Sequence, residues 1–289
     1  SETLLQASLE ANRWGMYDLR DAVDLSRAHT LYKAGQFARA ATLYGTFARA
    51  RPSHPQRTLA LYQQGLALKR LGQRQRAATA FSELAESAPQ SVYAADAHLQ
   101  LGQLYTDLGA ADKAVRAYEN MARSGQAQEQ RQAQLLIAQV HYNQKRFRQA
   151  IPIYWTFLER YADDSRRAEI EDLLLTAYWL GARQDEGLLK AIELFPRHAI
   201  VAHIRWELGA QAYKAGDFKR AAAFFERFAG DFPTSKKAAE SLYFLGEARL
   251  KTGQPAPAAA AFNAMLARYP KAPQAAAARL RLASALYDS

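Results

Sequence analysis

The sequence predicts an all-α solenoid, a stack of about seven helical hairpins with a further helix at each end. The main observation is an internal repeat, in which the same pattern of residue types returns every 35 to 37 residues. The composition is sufficient for a substantial core, because 49% of the residues are hydrophobic. No apolar run approaches the roughly 20 residues that cross a bilayer. The chain has no cysteine, which excludes a disulfide framework or a thiolate metal site.

One landmark residue ends an apolar, helix-patterned run in every copy of the repeat. The seven landmarks are Gly35, Gly72, Gly109, Lys145, Gly181, Gly216 and Gly253. Glycine adopts a positive φ without steric cost, so a helix can end there and the chain can reverse. Each landmark therefore predicts the end of the first helix of a hairpin.

The second helix of each hairpin carries three regularly spaced residues after the landmark. Five residues after it stands alanine: Ala40, Ala77, Ala114, Ala150, Ala221 and Ala258. Nine residues after it stands an aromatic residue: Tyr44, Phe81, Tyr118, Tyr154, Phe225 and Phe262. Twelve residues after it stands a large apolar residue: Phe47, Leu84, Met121, Phe157, Phe228 and Met265. Spacings of four and three place these residues on one helix face, and alanine allows the two helices to cross closely. Such a hairpin buries its apolar face only by stacking on its neighbours.

This pattern resembles the tetratricopeptide repeat family from roughly residue 21 to residue 289. The resemblance implies a right-handed superhelix, and it divides the chain into an N-terminal helix (1–20), seven repeats (21–274) and a C-terminal capping helix (275–289). The N-terminal helix is either a cap or the remnant of a preceding repeat. The sequences "YFLGEARLKTGQ" and "FERFAGDFPTSKKAAESLYFLG" look most like those of bacterial cell-envelope members of the family, of the Tol–Pal coordinator and outer-membrane assembly lipoprotein type. That likeness implies a periplasmic or outer-membrane-associated location, with the cytoplasm as the alternative.

The fifth unit departs from the pattern. Glu186, Lys190 and Glu193 stand where the other units have alanine, an aromatic residue and a large apolar residue. In addition, Pro196 comes two residues earlier than the proline that follows other second helices. The second helix of this unit is therefore predicted to be rotated or shortened, either as a functional elbow or through drift.

In the architecture that the resemblance implies, the first helices line a concave groove. Residues ten, three and two before each landmark share one side of the first helix and should face this groove. The candidate groove residues are Tyr32, Lys33, Tyr62, Lys69, Arg70, Tyr142, Tyr178, Trp179, Trp206, Tyr213, Lys214, Tyr243 and Lys251. Aromatic anchors beside cations suit a protein or peptide partner that carries negative charge. The cluster from Tyr178 to Tyr213 is predicted as the main contact patch.

The sequence therefore predicts a non-catalytic scaffold or adaptor for protein partners. It holds no phosphate-binding loop, no zinc-protease motif and no nucleophile elbow, so we expect no catalytic residue, cofactor, metal or small-molecule substrate. One alternative is the helical domain of a larger protein such as a cell-wall enzyme. A second is a nucleic-acid-binding solenoid, because the net charge is +10, although the basic residues are spread over all units. We expect membrane association only through an anchor or partner outside this chain.

Overall fold

The computed structural model describes residues 2–13, 17–181 and 186–287. These ranges contain sixteen α-helices and no strand, so the predicted all-α repeat fold is confirmed. The helices are α1 (Glu2–Arg13), α2 (Tyr17–Lys33), α3 (Phe37–Ala50), α4 (Arg57–Arg70), α5 (Arg74–Ser87), α6 (Ala94–Asp107), α7 (Ala111–Ser124), α8 (Ala127–Asn143), α9 (Phe147–Arg160), α10 (Arg167–Gly181), α11 (Glu186–Leu194), α12 (Ala199–Lys214), α13 (Phe218–Asp231), α14 (Ala238–Lys251), α15 (Pro255–Arg268) and α16 (Ala275–Tyr287). None of these described helices is both long and apolar enough to span a membrane.

The helices fall into two compact units, Ser1–Ala162 and Asp163–Ser289. In the first unit, α1 precedes four hairpins, α2–α3, α4–α5, α6–α7 and α8–α9, and each helix packs on the next. In the second unit, the hairpins α10–α11, α12–α13 and α14–α15 precede α16. The helix α2 begins at Tyr17, four residues before the predicted start of the first repeat. The finer division at residues 20 and 274 stays a prediction.

Six of the seven landmark residues form a turn inside their hairpins, and the seventh, Gly181, is the last residue of α10. Gly72 has a φ of +71°, and Gly35, Gly109, Gly216 and Gly253 have φ values between +69° and +78°. The backbone N–H of Gly72 donates to Lys69 O at 3.0 Å, and that of Gln73 donates to Leu68 O at 3.0 Å. These bonds satisfy carbonyl groups that the end of α4 would otherwise leave unpaired. Lys145 takes the same left-handed conformation, with a φ of 57°, so the turn is kept where glycine is missing.

In four hairpins the second helix packs its aromatic ring against a glycine of the first helix. Phe81 of α5 is fully buried, and a Cβ atom added to Gly65 of α4 would lie 2.6 Å from its Cζ atom. The ring of Phe225 packs in the same way against Gly209. This second glycine, seven residues before the landmark, was not part of the predicted pattern. Because this glycine has no side chain, the ring packs directly on the backbone of the first helix, and this close packing stabilises the hairpin.

The fifth hairpin differs from the others as the sequence predicts. The helix α11 has nine residues, whereas α9 and α13 each have fourteen. Its buried face consists of Leu188, Ala191 and Ile192, so the helix is rotated as well as shortened. The ring and the glycine also change places, because Tyr178 of the first helix packs against Gly187 of the second.

A buried arginine of the next hairpin donates a hydrogen bond to the last turn of this short helix. Arg205 of α12 is only 2% exposed, and its Nη2 atom donates to Ile192 O at 3.0 Å, in the last turn of α11. Its Nη1 atom pairs with the carboxylate of Asp231 at the end of α13. The guanidinium group therefore satisfies a carbonyl at a helix end while its own charge is neutralised.

Candidate functional site

In the first unit, the predicted groove residues differ in their exposure. Lys33 and Arg70, each two residues before a landmark, are exposed. Tyr32 and Tyr142 are partly buried, and their rings meet the edges of Phe37 and Phe147 at 5.2 and 5.3 Å. These two tyrosines therefore cover the start of the second helix of their own hairpins.

Tyr62 and Lys69 connect α4 to the next first helix, α6. The hydroxyl of Tyr62 donates to the carboxylate of Asp96, and its ring stacks on that of Tyr93 with the centroids 5.1 Å apart. Burial, followed by the hydrogen bond to Asp96, raises the pKa of Tyr62, so this phenol keeps its proton at neutral pH. Lys69 Nζ donates to Gln100 Oε1 at 2.6 Å and to Gln103 Oε1 at 2.8 Å. Both side chains are thus engaged in bonds between neighbouring repeats.

In the second unit, two of the four residues predicted between Tyr178 and Tyr213 belong to the core. Tyr178 is 4% exposed and packs against Gly187, and Trp179 is 8% exposed and meets the edge of His203. Tyr178 thus packs on the shortened α11, and Trp179 packs on α12 of the next hairpin. We therefore leave them out of the candidate surface, which begins at Trp206.

Three predicted residues of the second unit meet around one that was not predicted. Trp206 and Tyr213 of α12 and Tyr243 of α14 place their ring centroids 6.2, 5.2 and 5.8 Å from that of Phe244. We call Trp206, Tyr213, Tyr243 and Phe244 the aromatic cluster. All four side chains are partly exposed. The sequence signal for Phe244 is its place next to Tyr243, nine residues before the landmark.

Cations flank the aromatic cluster on both helices. Lys214 and Lys251 are exposed and occupy the same repeat position, two residues before Gly216 and Gly253. The ammonium group of Lys237 lies 4.5 Å from the centroid of the Trp206 ring and 2.7 Å from Glu240 Oε2. A cation over an indole face is favourable, and Lys214 and Lys251 add exposed positive charge to the two helices that carry the rings.

One buried carboxylate lies at this surface as well. Glu247 of α14 is 7% exposed, and its Oε1 atom is 2.8 Å from Arg281 Nε of α16. Burial, and then the charge of Glu247, raises the pKa of Tyr213. The Tyr213 hydroxyl therefore remains a hydrogen-bond donor at neutral pH.

A comparison with known families identifies the repeat. The family model described as tetratricopeptide repeat matches five segments in two overlapping groups, residues 25–92, 62–129 and 99–165, and residues 207–273 and 245–289. The chain belongs to the tetratricopeptide repeat family. The matched segments include all of α14 and the second half of α12, residues 207–214, so that Tyr213, Tyr243 and Phe244 lie within them and Trp206 lies just before them. No curated protein has a matching sequence.

Three solved structures are similar to this chain over 92% or 93% of its length. A tetratricopeptide repeat protein from Parabacteroides merdae is 18% identical, with 92% of this chain and 98% of that chain covered and a TM-score of 0.48. Naa15/Naa10 bound to HypK-THB is 19% identical over 93% of this chain and 39% of that chain, with a TM-score of 0.52. The TPR2AB domain of yeast Sti1 in complex with pHSP90 is 17% identical over 93% of this chain and 97% of that chain, with a TM-score of 0.48.

Proposed function

We propose that this tetratricopeptide repeat protein is a non-catalytic scaffold that binds a segment of a partner protein on its aromatic cluster. The observation that carries the proposal is the meeting of Trp206, Tyr213 and Tyr243 around Phe244, on two consecutive first helices. Partly exposed aromatic rings give a partner a large and stiff contact area at a small entropic cost. The similarity in fold to Naa15/Naa10, which is bound to HypK-THB in its solved structure, supports partner binding.

The flanking charge indicates the chemistry of the partner. Lys214 and Lys251 are exposed, so a bound segment would meet two ammonium groups beside the rings. We propose that the segment combines apolar or aromatic side chains, which contact the cluster, with acidic side chains, which face the lysines. Charge of this kind mainly raises the association rate and selects the partner.

The test uses peptides selected from a random library against the wild-type chain. Their affinity is then measured by fluorescence anisotropy for the wild type and for K214E/K251E. We expect selected peptides to combine acidic and apolar residues, and the double variant to weaken binding by about tenfold or more, because attraction becomes repulsion. Both lysines are exposed, so the melting temperature of the variant should stay close to that of the wild type.

The matched control is K33E/R70E, which alters the same repeat position in the first unit. It changes the net charge by the same amount, and its two residues belong to α2 and α4 of the first unit. Binding should remain within about twofold of the wild type, since the cluster and its two lysines are unaltered. Equal weakening by both variants, or by neither, would refute the aromatic cluster as the binding surface.

Truncation of the rings gives a second test that needs a stability measurement beside it. Trp206→Ala and Tyr213→Ala should both weaken peptide binding. The Trp206 ring also lies 5.4 Å from Phe225 and 5.9 Å from Phe228, so its loss opens the core. Binding is therefore compared at a temperature at which each variant is shown to be folded. Full affinity in both folded variants would move the site elsewhere.

The cellular compartment of the protein stays a prediction, which rests on the sequence of two segments of the repeat. We propose a periplasmic or outer-membrane-associated location in a bacterial cell envelope. Fractionation of cells that express the full-length gene product, with a periplasmic and a cytoplasmic marker enzyme as controls, tests it. Recovery with the cytoplasmic marker would overturn the proposal and leave the scaffold function unaffected.

A further inference from the structure

A cavity of about 710 Å³ lies between two linkers of the second unit. One linker joins α13 to α14 and the other joins α15 to α16. Four cations line the cavity: Lys236, Lys237, Arg268 and Lys271. The acidic residue that lines it is Glu240, which already pairs with Lys237 at 2.7 Å. The cavity wall therefore carries an excess of positive charge.

Three of these cations have no counter-charge among the residues that the structure describes. Lys236, Arg268 and Lys271 are exposed, and none of them forms an ion pair with any of the residues that the structure describes. Like charges that line one cavity repel each other, and an anion bound between them removes that repulsion. Elsewhere in the second unit, Arg205, Arg227 and Arg249 each have a carboxylate partner.

The linkers hold the backbone of the cavity in place. The hydroxyl of Tyr269 donates to the carbonyl oxygen of Pro233, which joins one linker to the other. Pro233, Pro270 and Pro273 restrict the backbone torsions on both sides. A preorganised wall loses less entropy on binding a ligand. The first turns of α14 and α16 adjoin the cavity and add their positive dipole ends to the side-chain charges.

We propose that this linker cavity binds an oxyanion, a phosphate or carboxylate group. Lysine and arginine form charge-assisted hydrogen bonds with both groups. The inference goes beyond the proposed function, because the ligand is a charged group in the linker cavity and not a peptide side chain on the rings. Lys237 connects the two sites, since it lines the cavity and lies over Trp206. A bound oxyanion would thus neighbour the aromatic cluster.

The test measures the binding of two probes, pyrophosphate and triglutamate, by isothermal titration calorimetry at low ionic strength. We expect wild-type protein to bind at least one probe with a saturable isotherm. K236Q/K271Q should weaken that binding by about tenfold or more, because two charge-assisted contacts are lost. The control K219Q/R279Q removes two exposed charges of the same unit outside the cavity, and its affinity should stay within about twofold of the wild type.

The two probes also identify the source of the oxyanion. Tighter binding of pyrophosphate assigns phosphate groups, and tighter binding of triglutamate assigns carboxylates. Amide chemical shifts should move at residues 233–240 and 268–274 when the bound probe is added. Absence of saturable binding of both probes overturns the proposal, as does equal weakening in the cavity variant and the control. Because neither variant alters Lys214 or Lys251, a negative result here leaves the peptide experiment intact.

Discussion

The ring of Phe262 occupies the space in which a side chain on Gly246 would begin. A Cβ atom added to Gly246 would lie 2.5 Å from Cζ of Phe262, and the same relationship joins Gly65 to Phe81 and Gly209 to Phe225. The glycine belongs to the first helix of a hairpin and the ring to the second. The pair therefore sets how closely the two helices of a repeat approach each other.

Gly246→Ala is expected to lower the free energy of unfolding by about 1–3 kcal/mol, because the added methyl group overpacks a fully buried ring. Urea denaturation measures this change. The control is Gly230→Ala, since Gly230 also lies in a helix but has no atom near the place of its absent Cβ. There the gain in helix propensity should stabilise the protein by up to about 1 kcal/mol. Similar changes in both variants would contradict the role of the ring.

Phe225→Ala should cost about 3–5 kcal/mol of unfolding free energy, because it truncates a fully buried aromatic side chain. The ring centroid lies 5.4 Å from that of Trp206 and 5.6 Å from that of Phe244, so the aromatic cluster loses part of its support. Leu280→Ala is the control, because Leu280 is 74% exposed and its truncation should change stability by less than about 0.5 kcal/mol. A loss below about 1 kcal/mol for Phe225→Ala would contradict its place in the core.

Lys145→Gly is expected to stabilise the protein by about 0.5–1 kcal/mol. Lys145 has a φ of 57°, which is unfavourable for a residue with a side chain and natural for glycine. Thermal or urea denaturation would show the gain. The same substitution at Lys113, an exposed residue inside α7, should instead destabilise by about 1 kcal/mol. If Lys145→Gly were also destabilising, relief of backbone strain would not govern this turn.

His98 should make the protein less stable as the pH falls from neutral. Burial lowers its pKa below the ordinary value of 6.5, and its Nδ1 atom is buried without a hydrogen-bond partner among the described residues. Below that pH the unfolded chain binds a proton more readily than the folded one, so stability rises with pH through this window and is lost on acidification. His98→Gln should reduce the slope of melting temperature against pH between about pH 5 and 7.

A second histidine, His141, serves as the comparison for this experiment. Burial also lowers the pKa of His141, with the charge of Arg146 as the next cause, so His98→Gln alone should leave part of the pH dependence. Adding His141→Gln should reduce the slope further. An unchanged slope in both variants would show that neither imidazole contributes to the acid sensitivity.

The repeat pattern predicted the turns and the core of the second helices well, because those positions depend on local geometry. A residue that must take a left-handed backbone conformation is recognisable by its spacing, and Ala77, Phe81 and Leu84 are fully buried as their common face requires. The first-helix glycine at position 65 could have been found by the same spacing argument. It was missed because a glycine inside a helix does not by itself indicate which aromatic ring packs against it.

The candidate site was harder to predict, because groove positions are defined relative to regular neighbours. Trp206, Tyr213 and Tyr243 have regular neighbours and meet on one surface. Tyr178 and Trp179 belong to a hairpin whose second helix is five residues shorter than α13, and both side chains are buried, one against Gly187 and the other against His203. How a side chain responds to a missing turn of helix depends on tertiary packing, which periodicity does not contain.

The exchange of ring and glycine in the fifth hairpin limits how this protein can be engineered by shuffling repeats. Hairpins with a glycine in the first helix and a ring in the second are equivalent modules, and one could replace another at a junction. The hairpin α10–α11 is not interchangeable with them, because its first helix supplies the ring, Tyr178, and its second helix supplies the glycine, Gly187. It is also bonded to the next module through Arg205, which holds the Ile192 carbonyl. A chimaera that keeps this hairpin should therefore carry α10 to α13 as one indivisible block.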